Sequence, residues 1–159
     1  MMNKLLENRL PPPLVLVLCM LLVWMGRRIW GDGGSVDSGN VWDTGLWGVP
    51  YILFGLAVIS LGMMQFFAAK TTINPLDPEL ASSLVSQGVF SYTRNPMYLG
   101  MALVLLGQII ALGWPLGFFM LIFFVAYIQF FQIAPEEKAM HKLFGNDYNN
   151  YCKEVRRWI

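Results

Sequence analysis

The stretch MYLGMALVLLGQIIALGWPLGFFMLIFFVAYIQFFQI, residues 97–133, decides the fold: it contains no Asp, Glu, Lys or Arg. As a single helix it would extend roughly 55 Å, against a hydrocarbon core of about 30 Å. Gly113-Trp114-Pro115 interrupts it near its middle. Gly ends helices, Pro starts them and Trp suits head-group depth, so the stretch reads as a tight antiparallel hairpin of two spans, 97–114 and 115–133.

Outward from this hairpin, residues 47–69 form another apolar run of spanning length. Residues 14–25 are shorter, and reach spanning length if the helix continues to Trp30 with Arg27 and Arg28 snorkelling to the head groups. Pro11-Pro12-Pro13 then leads into the first turn. Trp24-Met25-Gly26-Arg27-Arg28 is a poor signal-peptidase site, so an uncleaved anchor is expected. The fold class is thus all-α: one polytopic membrane domain over 1–159 with about four transmembrane helices (14–30, 47–69, 97–114, 115–133), a cytoplasmic loop 70–96 and a cytoplasmic helical tail 134–159.

Composition agrees. The chain is 56% hydrophobic and 13% charged, with a mean hydropathy of +0.51, whereas soluble domains carry about a quarter charged residues. Cys19 and Cys152 form no CxxC pair, and His141 is the single histidine, which leaves no basis for a zinc, haem or histidine-box metal site. No basic run tracks phosphates, so nucleic acid is not an expected partner. With four spans, nine Lys/Arg fall on the side of the termini and the loop 70–96, and two, Arg27 and Arg28, on the other. The positive-inside rule then places both termini in the cytoplasm of, most simply, a bacterial inner membrane. The opposite loop, 31–45, is rich in Gly and Asp and reads as a flexible external connection. Midplane ionisable groups are missing, which disfavours a transporter. Gln65, Gln108, Gln129 and Gln132 are the strong polar groups of the spans, and interhelical hydrogen bonding is the expected use of Gln65 and Gln108.

Two polar segments should meet at the cytoplasmic face. In the loop, Asp77 and Pro78 suit the start of a short helix that ends at or before Gly88. Arg94-Asn95-Pro96 then delivers a guanidinium and an amide to the start of a span, with Tyr98 one turn in. Opposite them, adjacent Glu136 and Glu137 point to different faces of a helix, so one can turn inward while the other meets water or a Lys. His141 follows Glu137 by one turn and could stack on it. Singly, each of these has a plain reading as anchor, belt aromatic or solvated helix start.

Their order, Leu84-Val85, Gly88-Val89-Phe90, Arg94-Asn95-Pro96-Met97-Tyr98-Leu99-Gly100, an apolar hairpin, Glu136-Glu137, then Phe144-Gly145, Tyr148 and Tyr151, resembles the isoprenylcysteine carboxyl methyltransferase and phospholipid N-methyltransferase superfamily. The resemblance implies a helical, membrane-embedded methyltransferase that uses S-adenosyl-L-methionine. It puts cofactor contacts on Ser82, Ser83, Leu84, Val85, Phe90, Asn95, Pro96, Met97, Tyr98 and Glu136. Arg94 matches the Arg of the family's Arg-His-Pro-x-Tyr motif and, with Glu137, is the expected catalytic pair. If the acceptor is an amine, the attacking nitrogen must be unprotonated, and Glu137 or His141 is the candidate base. Asn95 stands where that motif has His, which keeps hydrogen bonding and removes a titratable group. Gln132 occupies the place of an Arg thought to orient a substrate carboxylate, so a carboxylate acceptor would lose its charge-assisted partner there. The expected partners are the lipid bilayer and an amphiphilic or lipid-like substrate, most like an isoprenylcysteine carboxylate, with a lipid amine or small thiol as the alternative. A non-catalytic membrane scaffold is the reading from another class.

Overall fold

The computed structural model describes residues 10–30, 45–69 and 83–159. Ser82, the Asp77-Pro78 helix start and the glycine-rich connection 31–44 lie outside the described residues. Among the described residues the chain is all-helical: α1 (Pro12–Trp30), a 3-10 turn (Leu46–Gly48) running into α2 (Val49–Ala68), a 3-10 turn (Gly88–Ser91), α3 (Pro96–Leu112), α4 (Gly117–Ile128), a π-helical turn (Gln129–Ile133) and α5 (Ala134–Glu154). Three helical stretches, Pro12–Trp30, Leu46–Ala68 and Gly117–Glu154, are long and apolar enough to cross a membrane, and Pro96–Leu112 is a shorter apolar helix.

The core sits where α1, α3 and α4 meet. Pro12, Val15, Cys19, Val23 and Gly26 recur at three- and four-residue intervals and form the buried face of α1. Val15, Cys19 and Val23 pack with Leu105, Ile109, Phe124 and Ile128, while Leu14, Leu18, Leu21 and Leu22 point outward. Lipid is as apolar as these outward side chains, so close packing and interhelical hydrogen bonds rather than burial hold such helices together. Gln108 shows this, its amide donating to the Met20 carbonyl of α1 at 3.1 Å. Gln65 does not bond another helix: oriented to satisfy both of its ends, its amide donates to the Gln87 carbonyl (2.9 Å) and accepts from the Val89 N–H (3.0 Å). It thereby ties the 3-10 turn to the end of α2. Gln65→Leu should destabilise this turn by about 1–2 kcal/mol, the net worth of two hydrogen bonds whose backbone partners water can partly replace. Faster amide hydrogen exchange at Val89 would report it, and unchanged protection would count against the tie.

The hairpin turns at Gly113, whose left-handed backbone (φ 58°) caps α3. Pro115 does not itself open α4. The N–H groups of Gly117, Phe118 and Phe119 bond to the carbonyls of Trp114, Pro115 and Leu116, a tight turn from which the helix starts at Gly117. At its far end the helix does not stop at Ile133. Pro135 lacks an N–H, and in α geometry its ring would strike the Phe131 carbonyl. The π-helical turn Gln129–Ile133 widens the ladder just before that proline, and the rod continues into α5. The rod bends at Gly145, whose backbone (φ 50°, ψ −117°) is open to glycine and strained for other residues. The bend folds Tyr148, Tyr151 and Val155 back onto Leu84, Met140 and Phe144 as a second small core.

α2 docks on α3 through glycine. Gly48, Gly55 and Gly62 repeat every seven residues, as do Gly100 and Gly107, so each stripe keeps to one side of a helix over several turns. The stripes meet backbone to backbone: a Cβ on Gly100 would lie 2.6 Å from the Gly55 carbonyl oxygen, and one on Gly55 would lie 2.6 Å from that of Gly100.

Candidate active site

At one end of the bundle the chain brings together residues 83–98, the first turns of α5 and the segment that follows α5. Phe90 is buried edge-on against Phe66 of α2, with ring centroids 5.2 Å apart. Its carbonyl accepts the Tyr151 hydroxyl at 2.6 Å. Ser83 donates to the Ala69 carbonyl at 3.3 Å, Leu84 joins the tyrosine core, and Val85 is half-buried nearby in sequence. Residues 83–87 are not helical, and Gly88 opens the 3-10 turn.

Pro96 occupies the first turn of α3 with Asn95 at its N-cap. The Asn95 side chain does not cap the helix. Its amide donates to the Arg157 carbonyl at 2.9 Å. Pro96 and Tyr98 are buried and Met97 is half-buried beside Gly62. One turn into α3, the Tyr98 hydroxyl donates to Glu136 Oε1.

The two glutamates diverge as neighbours on a helix must. Glu136 is half-buried as a residue, but its carboxyl end is enclosed beside Tyr98. Burial pushes its pKa up from 4.5 to about 7; the Tyr98 hydrogen bond opposes this, and the neighbouring charge of Glu137 adds to it. Glu137 turns toward two arginines. Arg94 approaches its Oε1 at 3.1 Å. Arg157 forks onto both oxygens, Nε to Oε1 at 2.9 Å and Nη2 to Oε2 at 2.5 Å. Arg94 also touches the Cys152 sulfur, while its Nε is buried with no hydrogen-bond partner among the described residues. His141 stacks edge-on against Tyr148 at 4.7 Å rather than on Glu137.

Gln132 lies apart from this cluster, one turn before Glu136 and fully buried. Its amide donates to the Leu10 carbonyl at 3.0 Å. Its Oε1, like the Tyr127 hydroxyl, has no partner among the described residues. The structure thus gathers Arg94, Asn95, Glu137 and Arg157 into one network and joins Tyr98 to Glu136. In the sequence Arg157 enters only as one of the nine Lys/Arg on the side of the termini, since no local motif links it to Arg94 more than sixty residues away. Among the described residues no cluster of His, Cys, Asp or Glu is suited to hold a metal ion.

This arrangement can hold a zwitterion. Among the described residues, a buried carboxyl bonded by one phenol suits an ammonium, and a buried guanidinium whose Nε has no partner suits a carboxylate. The family model for phospholipid methyltransferase matches residues 44–147, a segment that includes Arg94, Tyr98, Glu136 and Glu137. An uncharacterized protein of Haemophilus influenzae is 41% identical over 63 residues, which cover 40% of this chain and 100% of that protein. No solved structure matches.

Proposed function

Because the chain belongs to the phospholipid methyltransferase family of membrane methyltransferases, we propose that it transfers a methyl group from S-adenosyl-L-methionine to an amphiphilic acceptor at the membrane interface. The observation that carries this reading is the pair of complementary charge sites, Glu136 beneath Tyr98 and the unpaired Nε of Arg94. They match the ammonium and carboxylate of the cofactor's methionyl group. When bound, the cofactor supplies an electrophilic methyl on a sulfonium. Glu136 would pair with the ammonium and Arg94 with the carboxylate, Leu84, Val85, Phe90 and Met97 would wall the adenine, and Ser82, Ser83, Asn95 and Pro96 are the further contacts that the family resemblance implies. Catalysis then rests on holding the acceptor at attack distance in a dry site. Glu137 is held by two guanidiniums, and its role in this reading is to fix Arg94.

The acceptor enters from lipid with its head near Gln132. By resemblance, an isoprenylcysteine-like carboxylate comes first. The unpaired Oε1 of Gln132 favours a second class, a head group that donates hydrogen bonds, such as a lipid amine. The protein is proposed to sit in a bacterial cytoplasmic membrane as one four-span domain, with the loop 70–96 and residues 134–159 on the cytoplasmic side, on the strength of the nine-to-two Lys/Arg distribution.

The test is calorimetric titration of the detergent-purified protein with S-adenosylmethionine, followed by methyl-label transfer to vesicles that carry prenylcysteine or amine-headed lipid. Binding in the micromolar range with label in one lipid class is the expected result. A folded protein that takes up no cofactor leaves the scaffold reading in its place.

A further inference from the structure

The segment after α5 is stitched to the site along its length. The Arg156 carbonyl accepts the Arg94 N–H at 3.0 Å. The Arg157 carbonyl accepts the Asn95 amide at 2.9 Å and the Thr93 hydroxyl at 3.3 Å. Three consecutive residues of the loop therefore bond to two consecutive carbonyls of this segment. Both flanks are anchored. Val155 is buried against the tyrosine core, and the Trp158 ring packs on the main core while its Nε1 donates to Gln129 Oε1 at 2.9 Å. Between these anchors the Arg157 side chain forks onto Glu137. Arg157 lies beyond the segment matched to the family.

The charge count gives this clasp a consequence. One carboxylate, Glu137, is shared by two guanidiniums, so the Arg94–Glu137–Arg157 cluster holds one surplus positive charge. A planar guanidinium that bonds both carboxylate oxygens leaves the carboxylate little capacity to turn fully toward a second cation. Without Arg157, the Arg94–Glu137 pair, already in contact at 3.1 Å, carries no surplus charge, and Glu137 can give both oxygens to Arg94. The side-chain exposures fit this: Arg94 and Glu137 are 13% and 14% exposed, and Arg157, at 38%, reaches in from the rim.

We propose that Arg157 is a positioning residue that occupies Glu137 and so keeps the charge of Arg94 available to an anionic group of the cofactor. This rests on the cofactor reading above. The test compares two probes on the full-length, detergent-purified protein: S-adenosylhomocysteine, which carries the amino-acid carboxylate, and 5′-methylthioadenosine, which lacks the amino-acid part. Arg157→Ala should weaken S-adenosylhomocysteine about tenfold, the scale of one charge-assisted hydrogen bond, and leave methylthioadenosine within about twofold. Arg157→Lys, which keeps the charge and loses the fork, should recover part of the lost discrimination. If both probes weaken alike in Arg157→Ala, or neither does, or if Lys is no better than Ala, the positioning role is overturned while the cofactor site stands. A wild-type protein that binds neither probe overturns the cofactor reading itself, and the role of Arg157 with it.

Discussion

Glu136→Gln should cut binding of S-adenosylmethionine by at least about a hundredfold, because removing one partner of a buried ion pair leaves the other charge uncompensated. Gln reproduces the shape of the protonated acid and can still accept from Tyr98, so the substitution removes the charge and little else. The unusual pKa of Glu136 adds a pH signature. Burial raises it to about 7, so at pH 6 most molecules carry a neutral Glu136 that offers an ammonium no charge. Cofactor affinity should rise between about pH 6 and pH 8 and then level off. Stability runs the other way. The folded state holds this proton more tightly than the unfolded chain, so the contribution is complete below pH 4.5 and is lost as pH rises through about 7. Titrations at several pH values, with melting curves beside them, check both slopes. Glu136→Gln should flatten both, and a variant that binds within threefold of the wild type would remove Glu136 from the site.

Gly100→Ile should separate α2 from the bundle. The new Cβ would lie 2.6 Å from the Gly55 carbonyl oxygen and 2.6 Å from an Ile59 carbon. The first of these is backbone inside a helix and cannot step aside. Overpacking of side chains costs about 1–3 kcal/mol, and a clash with backbone at a glycine seam should exceed that range. α2 has few other holds, since Leu53, Phe54, Leu61, Met64 and Phe67 face away from the protein. Its loss would also free Gln65 and Phe66 from the 3-10 turn that seats Phe90, so cofactor binding should fall together with the melting temperature. Phe54→Leu, on the outward face of the same helix, serves as control and should change neither. Equal melting of Gly100→Ile and wild type in the same detergent would mean that the seam is not what docks α2.

Parts of this molecule are written locally. Gly113 ends a helix because the next residues cannot extend it, and that can be read from three letters. Adjacent Glu136 and Glu137 must diverge on any helix, whatever they meet. The residue order from Leu84 to Tyr151 carries the family resemblance, which the match over 44–147 bears out. Elsewhere the local rule leaves the outcome open. A proline after an apolar span can stop a helix, kink it or be absorbed, and here the π-helical turn absorbs it. The seven-residue glycine spacing is present in the sequence, yet which stripe faces which depends on the turn of the whole hairpin.

By itself, the sequence determined the helical class, the apolar lengths and the turn at Gly113, because backbone satisfaction in lipid and helix-terminus chemistry depend only on near neighbours. It also set the kinds of side chain at the site. Only the tertiary structure decided their partners. That Tyr98 takes Glu136, that Glu137 is shared by Arg94 and Arg157, and that Asn95 is spent on a carbonyl of the closing segment all follow from the bend at Gly145 and the continuous rod from α4 into α5. Those contacts join residues twenty to sixty positions apart, and such distances are closed by packing, which no local pattern encodes.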